Sequence, residues 1–369
     1  EIIAPGNKRI GVMLPYTPLH YILFYFLKKV LHRGSVPALI MTSANISEEP
    51  ICITNENAAE RLNGITDFYL FHNRDILIRS DDSVGIMING KLRMIRRSRG
   101  YVPKRIKLLY STPVILAVGA ELKNTICITK ERNAFISQHI GDVSNLRAYN
   151  FFEETIKHMQ KIMDCKAEAV VSDLHPDYLS TRWANNSGLP VIKVQHHHAH
   201  LASCMAEYGL DENVIGLILD GTGFGYDSTI WGGEILFGNY TQIERLFHLY
   251  SCVPGYSVPG HLKEYPYENI HQMIDKKINT PYTSSAGRLF DAVAAIAGGP
   301  QKNNFEAEAA IHLMHAAASV NIAEKYNYSS PKKENQEIKL DSIIAGIYND
   351  IIQKVDYQII AAKFHNTLI

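Results

Sequence analysis

The stretch LPVIKVQHHHAHLASCMAEYGL, residues 189–210, runs an apolar strand directly into an amphipathic helix, and upstream of it strands and helices already alternate. That alternation predicts an α/β chain, and in open α/β sheets ligands gather at the carboxyl ends of strands. The histidines stand at such an end. His196 and His200, four apart, share one helix face, the spacing at which a helix offers two imidazoles to one metal. His197 and His198 are expected to point elsewhere. A solvated polar helix start competes with the metal reading, and spacing alone leaves the two level.

With 369 residues the chain exceeds what one core usually supports, so two domains are expected. Lys plus Arg and Asp plus Glu both total 37, so overall charge gives no case for nucleic acid or a membrane surface. The five cysteines are scattered and form no CxxC, which fits free thiols in a reducing cytoplasm. No apolar run is long enough to span a membrane. The first residues run into a strand without a cap and the last stop inside an apolar helical pattern, as in a piece of a longer protein.

Residues 1–108 read as mixed α/β. Strands are expected at RIGVML (9–14), ALIMTSA (38–44) and DFYLFHN (67–73), with helices at 18–34 and 56–64. A hairpin turning at Asn89-Gly90 follows, then a crossing segment, KRIKLLYSTPV, into a second domain, 109–369. That domain opens as strand, glycine turn, strand, turn, strand, continues with alternating helices and strands through the histidines, and ends mostly helical. Residues 327–341 are polar enough for an exposed loop.

LILDGTGFGYDSTIWGGE carries the second chemical signal. An apolar strand ends in Asp220, and Gly221, Thr222 and Gly223 let backbone amides approach an anion while Asp220 holds a cation beside it. GTGFG alone is also the string of a hairpin or bulge; the aspartate at the strand end is the specific part. AVGAELKNTICI repeats the logic with Gly119, Lys123 and Asn124, suggesting a nucleotide held between two related lobes. SSAGRLFDAVAAIAGG reads as a core helix, yet Gly287 permits close approach and Asp291 could accept from ribose hydroxyls. In the first domain, MTSANISEEP supplies Ser43 and Asn45, while Arg79, Arg97 and Arg99 offer guanidinium forks that match phosphate and carboxylate. These arginines could equally be a solvated strand face. Cys204, one turn after His200, is read as a core cysteine sooner than a nucleophile.

Taken in order, VMLPYTPLHYILF, MTSANISEEPI, RSDDSV, RRSRGYVP, AVGAELKNTICITK, FISQHIGD, DLHPDYLSTRWA, VQHHHAHLASCMAE, LDGTGFGYDSTIWGGE and GRLFDAVAAIAGG resemble the HypF family of [NiFe]-hydrogenase maturation carbamoyltransferases. The resemblance implies a YrdC-like α/β domain (1–108, its later portion) followed by a TsaD-like domain of the ASKHA, actin-like ATPase fold (109–369, incomplete at its C-terminus). It also implies an activity. Carbamate released from carbamoyl phosphate is joined to ATP with Mg2+, giving carbamoyl adenylate and pyrophosphate. The carbamoyl group then passes to the C-terminal cysteine of the partner HypE, for the cyanide ligands of the hydrogenase. No membrane or nucleic-acid partner is expected.

By the same resemblance Ser43 and Asn45 touch ATP phosphates, and Arg79, Arg97 and Arg99 balance carbamate and triphosphate charge. His196, His200 and Asp220 bind a transition metal, Zn2+ or Fe. Gly287 and Asp291 lie on a nucleotide-contacting helix, and Glu306 in FEAEAA approaches the ribose. A further aspartate ligand would lie past residue 369. The sequence departs from the family at VPGHLKEYPYENI, where His261 and Asn269 replace an expected glycine and arginine. Two rivals stand beside this reading: tRNA threonylcarbamoyladenosine synthesis, in which a glutamate separates the histidines, and a non-catalytic nucleotide-binding scaffold.

Overall fold

A computed structural model describes residues 4, 7–32, 34–47, 49–250, 267–329, 331 and 337–369. The chain divides into two compact units, one of Glu1–Ser43, Phe290–Asn327 and Ser342–Ile369, the other of Ala44–Leu289 and Tyr328–Asp341.

Near the N-terminus, α1 (Pro18–Val30) starts where Thr17 caps the His20 amide, has proline in its first turn and ends in Lys28 and Lys29, the signals that favour a helix locally. It buries no residue. The expected strands at 9–14, 38–44 and 67–73 form no strand among the described residues. A strand exists only when a neighbour completes its ladder, and the described residues offer these segments none; Val12 and Ile40 stay 87% and 79% exposed.

In the second unit α2 (Asn55–Arg61), capped by Thr54, precedes the hairpin of β1 (Val84–Ile88) and β2 (Lys91–Arg96). The hairpin turns at Asn89 and Gly90, whose φ values of 49° and 73° are those Asn-Gly adopts most readily. The presumed crossing segment is itself a strand, β3 (Ile106–Thr112), in a five-stranded sheet of order β3-β5-β4-β6-β7, with β4 (Ile115–Ala117), β5 (Cys127–Ile136), β6 (Ala169–Asp173) and β7 (Val191–Val194). Alternating apolar residues in 106–112 find β5 as partner, which sequence periodicity alone could not specify. β5 folds back near Glu131, at φ 55°, since the Ser137 amide donates to the Ile126 carbonyl; the expected strand-turn-strand is one doubled element.

β4, β6 and β7 run parallel, linked by α3 (Leu146–Ile162) and α4 (Leu179–Asn186). Leu116, Val118, Ile126, Ile128, Phe151, Phe152, Ile156 and Val170 form the core between sheet and helices, none more than 3% exposed. Each such side chain is worth about 1.5–3 kcal/mol of transfer free energy.

β7 leads into α5 (His196–Tyr208), which ends at Gly209 with φ 65°, a left-handed stop open to glycine. A second sheet follows, of order β11-β10-β9-β8: β8 (Val214–Phe224), β9 (Ile230–Gly238), β10 (Ile243–Leu249) and the two-residue β11 (Glu337–Ile338). Leu201 and Met205 of α5 pack on Ile218, Trp231 and Leu236 of this sheet. The polar segment 327–341 thus contributes β11, its residues 330 and 332–336 lying outside the described residues.

Among the described residues the remaining helices are α6 (Tyr267–Asp275), α7 (Ala286–Ile296), α8 (Glu308–Ala317), α9 (Asp341–Ile352) and α10 (Tyr357–Leu368). In the first unit α10 packs on α8, and Asp350, buried there, accepts from Tyr326 at 2.8 Å and Lys363 at 2.7 Å. No described helix is long and apolar enough to cross a membrane. Cys52, Cys127, Cys165 and Cys204 are free thiols, as expected, and Cys204 is exposed where a core position was expected. His261 and Cys252 lie outside the described residues.

Phe152 is fully buried and Leu217 is 64% exposed. Phe152→Ala should destabilise the second unit by about 3–5 kcal/mol, and Leu217→Ala by less than about 0.5 kcal/mol, read as shifts of the urea unfolding midpoint.

Candidate metal and nucleotide site

Because β6 and β7 pair in parallel with Asp173 opposite Val194, their carboxyl ends lie side by side. Two residues beyond Val194 the chain turns into α5, its first amides capped by Gln195, whose side chain accepts from the His198 amide at 2.9 Å. His196 therefore meets Asp173: Nδ1 lies 2.7 Å from Oδ2 of a carboxylate that is only 5% exposed. With Nδ1 held by Asp173, Nε2 faces the other way. A carboxylate behind an imidazole in this manner fixes ring orientation and tautomer and raises the ring's basicity.

Facing Nε2 is Asp220 of β8. Its Oδ2 lies 3.2 Å from His196 Nε2, 3.8 Å from His197 Nε2 and 3.8 Å from His200 Nε2, while the Gly221 amide donates to Oδ1 at 2.7 Å. His197, expected to point away, turns toward the site. The cause is packing: a Cβ at Gly223 would sit 2.4 Å from His197 Cε1 and 2.8 Å from His196 Cδ2, so β8 approaches both rings only because that position is glycine. His198 does point elsewhere, its Nε2 bonded to the Asn239 carbonyl at 2.8 Å.

His196, His200 and Asp220 offer two nitrogens and one oxygen within 4.8 Å of one another. Asp220 Oδ2 and His197 Nε2 are buried and make no hydrogen bond among the described residues, a costly state that a cation at the cluster would relieve. The donor set fits a divalent transition metal such as zinc or iron. Electrostatics agree. Burial opposes a charged His196, but the hydrogen bond to Asp173 and the negative charges of Asp173 and Asp220 outweigh it and carry the imidazole up to about 9. Burial and the neighbouring His196 push His197 down to about 4, and the same two causes lower His200. Asp220, although burial would raise it, is held at about 2 by His196 and the Gly221 amide.

The glycine loop lies beside this cluster. Ser285, at the start of α7, donates to the Gly221 carbonyl at 2.7 Å and caps the Arg288 amide. A Cβ at Gly287 would come 3.1 Å from Gly221 Cα, so the two glycine segments singled out in the sequence meet. Thr222 is exposed. Asp291 and Glu306 belong to the first unit. Asn124 is 2% exposed and holds a turn: its side chain donates to the Val118 carbonyl at 3.1 Å, and a Cβ at Gly119 would collide with it. Lys123 beside it is exposed, at φ 48°.

Among the first-domain residues, Ser43 is exposed in the first unit, and Asn45, in the second, donates to the Ile46 carbonyl at 2.8 Å while its buried Oδ1 accepts nothing among the described residues. Arg97 donates to the Tyr101 and Lys104 carbonyls, Arg99 to the Ser80 carbonyl beside Asp82, and Arg79 to the Ile51 carbonyl and Glu154. Sequence reasoning missed Asp173, Gln195 and Ser285. Asp173 was findable, since it ends an apolar strand one crossover before the histidine strand.

Three family models match the chain: the Sua5, YciO and YrdC model, described as telomere recombination, over residues 1–98; the HypF Kae1-like domain over 110–207; and the carbamoyltransferase Kae1-like domain, second subdomain, over 216–257 and 257–369. Carbamoyltransferase HypF of Synechocystis sp. is 38% identical over 414 residues, covering 100% of this chain and 52% of the relative. That of Rhizobium leguminosarum bv. viciae is 41% identical over 336 residues, 85% of this chain and 44% of the relative. A crystal structure of full-length HypF in a phosphate- and nucleotide-bound form superposes with TM-score 0.90 at 42% identity, over 99% of this chain and 60% of that one. The T. kodakarensis HypF structure gives 0.85 at 34% identity, over 97% and 51%. Sheet order, strand-end histidines and these matches define a YrdC-like domain followed by a Kae1-like, ASKHA-type domain. The chain belongs to the HypF family. It spans about half the length of the curated relatives it matches.

Asp173→Asn should weaken zinc binding 10–100-fold with an unchanged far-UV circular dichroism spectrum, measured by chelator competition. Since His196 sits at about 9 and Asp220 at about 2, uptake at pH 7 should release about one proton from His196. Affinity should then rise roughly tenfold per pH unit toward pH 9, with the proton counted by calorimetry in buffers of different ionisation enthalpy.

Proposed function

We propose that the chain carries out ATP-dependent carbamoyl transfer in hydrogenase maturation, on a domain division at about residue 108. Carbamate oxygen attacks the α-phosphorus of ATP, forming carbamoyl adenylate as pyrophosphate leaves. The C-terminal cysteine thiolate of HypE then attacks the carbamoyl carbon, forming the S–C bond and releasing AMP. Carbamate comes from carbamoyl phosphate, and Mg2+ accompanies the triphosphate. Membership of the HypF family and the nucleotide-bound relative support this reading.

The observation that carries the transfer half is Asp220 Oδ2 facing three imidazoles beside a glycine loop. His196, His200 and Asp220 would hold a transition metal, and when bound it supplies Lewis-acid polarisation of an oxygen. Asp173 orients His196, His197 stays neutral and donates or accepts at Nε2, and the amides of Gly221, Thr222 and Gly223 are the candidates for receiving phosphate. Gly287 gives the nucleotide close approach to that loop, with Lys123 as a further nucleotide contact. In the adenylating half, Ser43 and Asn45 are assigned to ATP phosphates, and Arg97 and Arg99 to carbamate and triphosphate charge. The reaction proceeds in the cytoplasm.

Carbamoyl-phosphate-dependent conversion of ATP to AMP and pyrophosphate, with and without HypE, tests the reading. Where that conversion is measurable, His200→Ala should leave adenylate formation in place and lower carbamoylation of HypE at least 100-fold. ATP binding without any turnover would instead favour a scaffold.

A further inference from the structure

Three imidazoles face Asp220, yet the groups standing behind two of them are chemically opposite. Behind His196 is a carboxylate, Asp173, whose Oδ2 lies 2.7 Å from Nδ1. An ionised carboxylate only accepts, so Nδ1 of His196 carries a proton and Nε2 is the nitrogen able to present a lone pair. Behind His197 is an amide nitrogen: Gln195 Nε2 lies 3.1 Å from His197 Nδ1.

Two backbone groups fix the orientation of that amide. Gln195 Oε1 accepts from the His198 amide at 2.9 Å, and Gln195 Nε2 donates to the Phe224 carbonyl at 3.2 Å. Exchanging the two ends would set oxygen against oxygen at Phe224 and N–H against N–H at His198. An amide nitrogen only donates, and its second hydrogen goes to His197, so Nδ1 there is the acceptor. A neutral imidazole carries one proton, which therefore sits on Nε2. Gln195 and His197 are both fully buried, so bulk water does not compete for these bonds. A half-turn of the ring would put carbon in front of Gln195. The ring is also closed in by Trp231, 6.0 Å away between centroids, and by Gly223, where a Cβ would come 2.4 Å from Cε1.

We propose that Gln195 is a positioning residue: it locks His197 as the Nε2–H tautomer, keeps that imidazole out of the ligand set and directs its N–H at Asp220 Oδ2. The two atoms are 3.8 Å apart, both are buried, and neither makes a hydrogen bond among the described residues. A small approach by Asp220 completes the bond. The cluster thus offers a metal two imidazoles and one carboxylate, although His197 stands as near to Asp220 as His200 does. Asp173 and Gln195, placed behind neighbouring rings, set opposite tautomers and thereby divide the histidines into a ligand and a donor. The inference rests on the metal reading proposed above and decides which nitrogen of His197 holds its proton.

Histidine-selective isotope labelling of the 369-residue protein, with long-range proton–nitrogen correlation spectra recorded before and after zinc addition, tests it. The signals of His197 are identified by their absence from the His197→Gln variant. A protonated Nε2 and an unprotonated Nδ1 are expected in both states, and a proton on Nδ1 overturns the proposal. In Gln195→Glu, shown to be folded by circular dichroism, a carboxylate replaces the donor and the proton is expected to move to Nδ1. Should these variants not fold, X-ray absorption at the zinc edge of the unsubstituted protein decides: two imidazoles support the proposal and three overturn it. His197→Ala should weaken zinc binding about 10–100-fold at unchanged stoichiometry in chelator competition, and an unchanged affinity would overturn the bond to Asp220. A proton on Nε2 in protein that takes up no zinc would remove the metal reading while supporting the lock.

Discussion

Everything at the candidate metal site depends on one carboxylate placed where it has no sufficient partner. Asp220 Oδ2 is buried, faces three imidazole nitrogens and makes no hydrogen bond among the described residues. Such a group is tolerated only when neighbours compensate it. Here compensation is arranged in series: Asp173 charges and orients His196, His196 and the Gly221 amide hold Asp220 ionised, and His197 and His200 are kept neutral beside them. A cluster with an ionised Asp220, neutral imidazoles at His197 and His200 and a proton on His196 to give up is prepared for a cation.

That arrangement needs a rigid frame. Parallel pairing of β6 with β7 aligns Asp173 and His196, and glycine at 223 lets β8 close on the helix. Behind the glycine loop, fully buried Glu234 accepts from Arg245 at 2.6 Å and from the amides of Gly232 and Gly233, and it also bonds Ser284. Arg245 in turn stacks 4.0 Å over Trp231. This network joins β9, β10 and the 283–285 segment, so the Ser285 contact to Gly221 is held from both sides. A buried ion pair of this sort contributes more to a unique arrangement than to net stability.

Much of the fold was legible because local rules coincide with it. Thr17-Pro18 starts α1, Asn89-Gly90 turns the hairpin, and the apolar runs at 169–173 and 191–194 become β6 and β7. The three unfulfilled strands in 9–73 carry the same apolar patterning, yet patterning names a face and not a partner, and there is no ladder for them among the described residues. Residues 106–112 failed in the opposite sense: a segment taken for a connection found an edge to pair with.

By itself the sequence determined which chemistry was available: two imidazoles one turn apart, an aspartate ending an apolar strand, glycines where backbone must come close, and a family resemblance in ten collinear strings. Only the tertiary structure decided which of these act together. It brought Asp173 behind His196, turned His197 inward and joined Gly287 to Gly221. The physical reason is that hydrogen bonds and charge pairs are short-ranged and directional, so residues 23 to 64 positions apart become partners only when sheet register and missing Cβ atoms place them within a few ångströms.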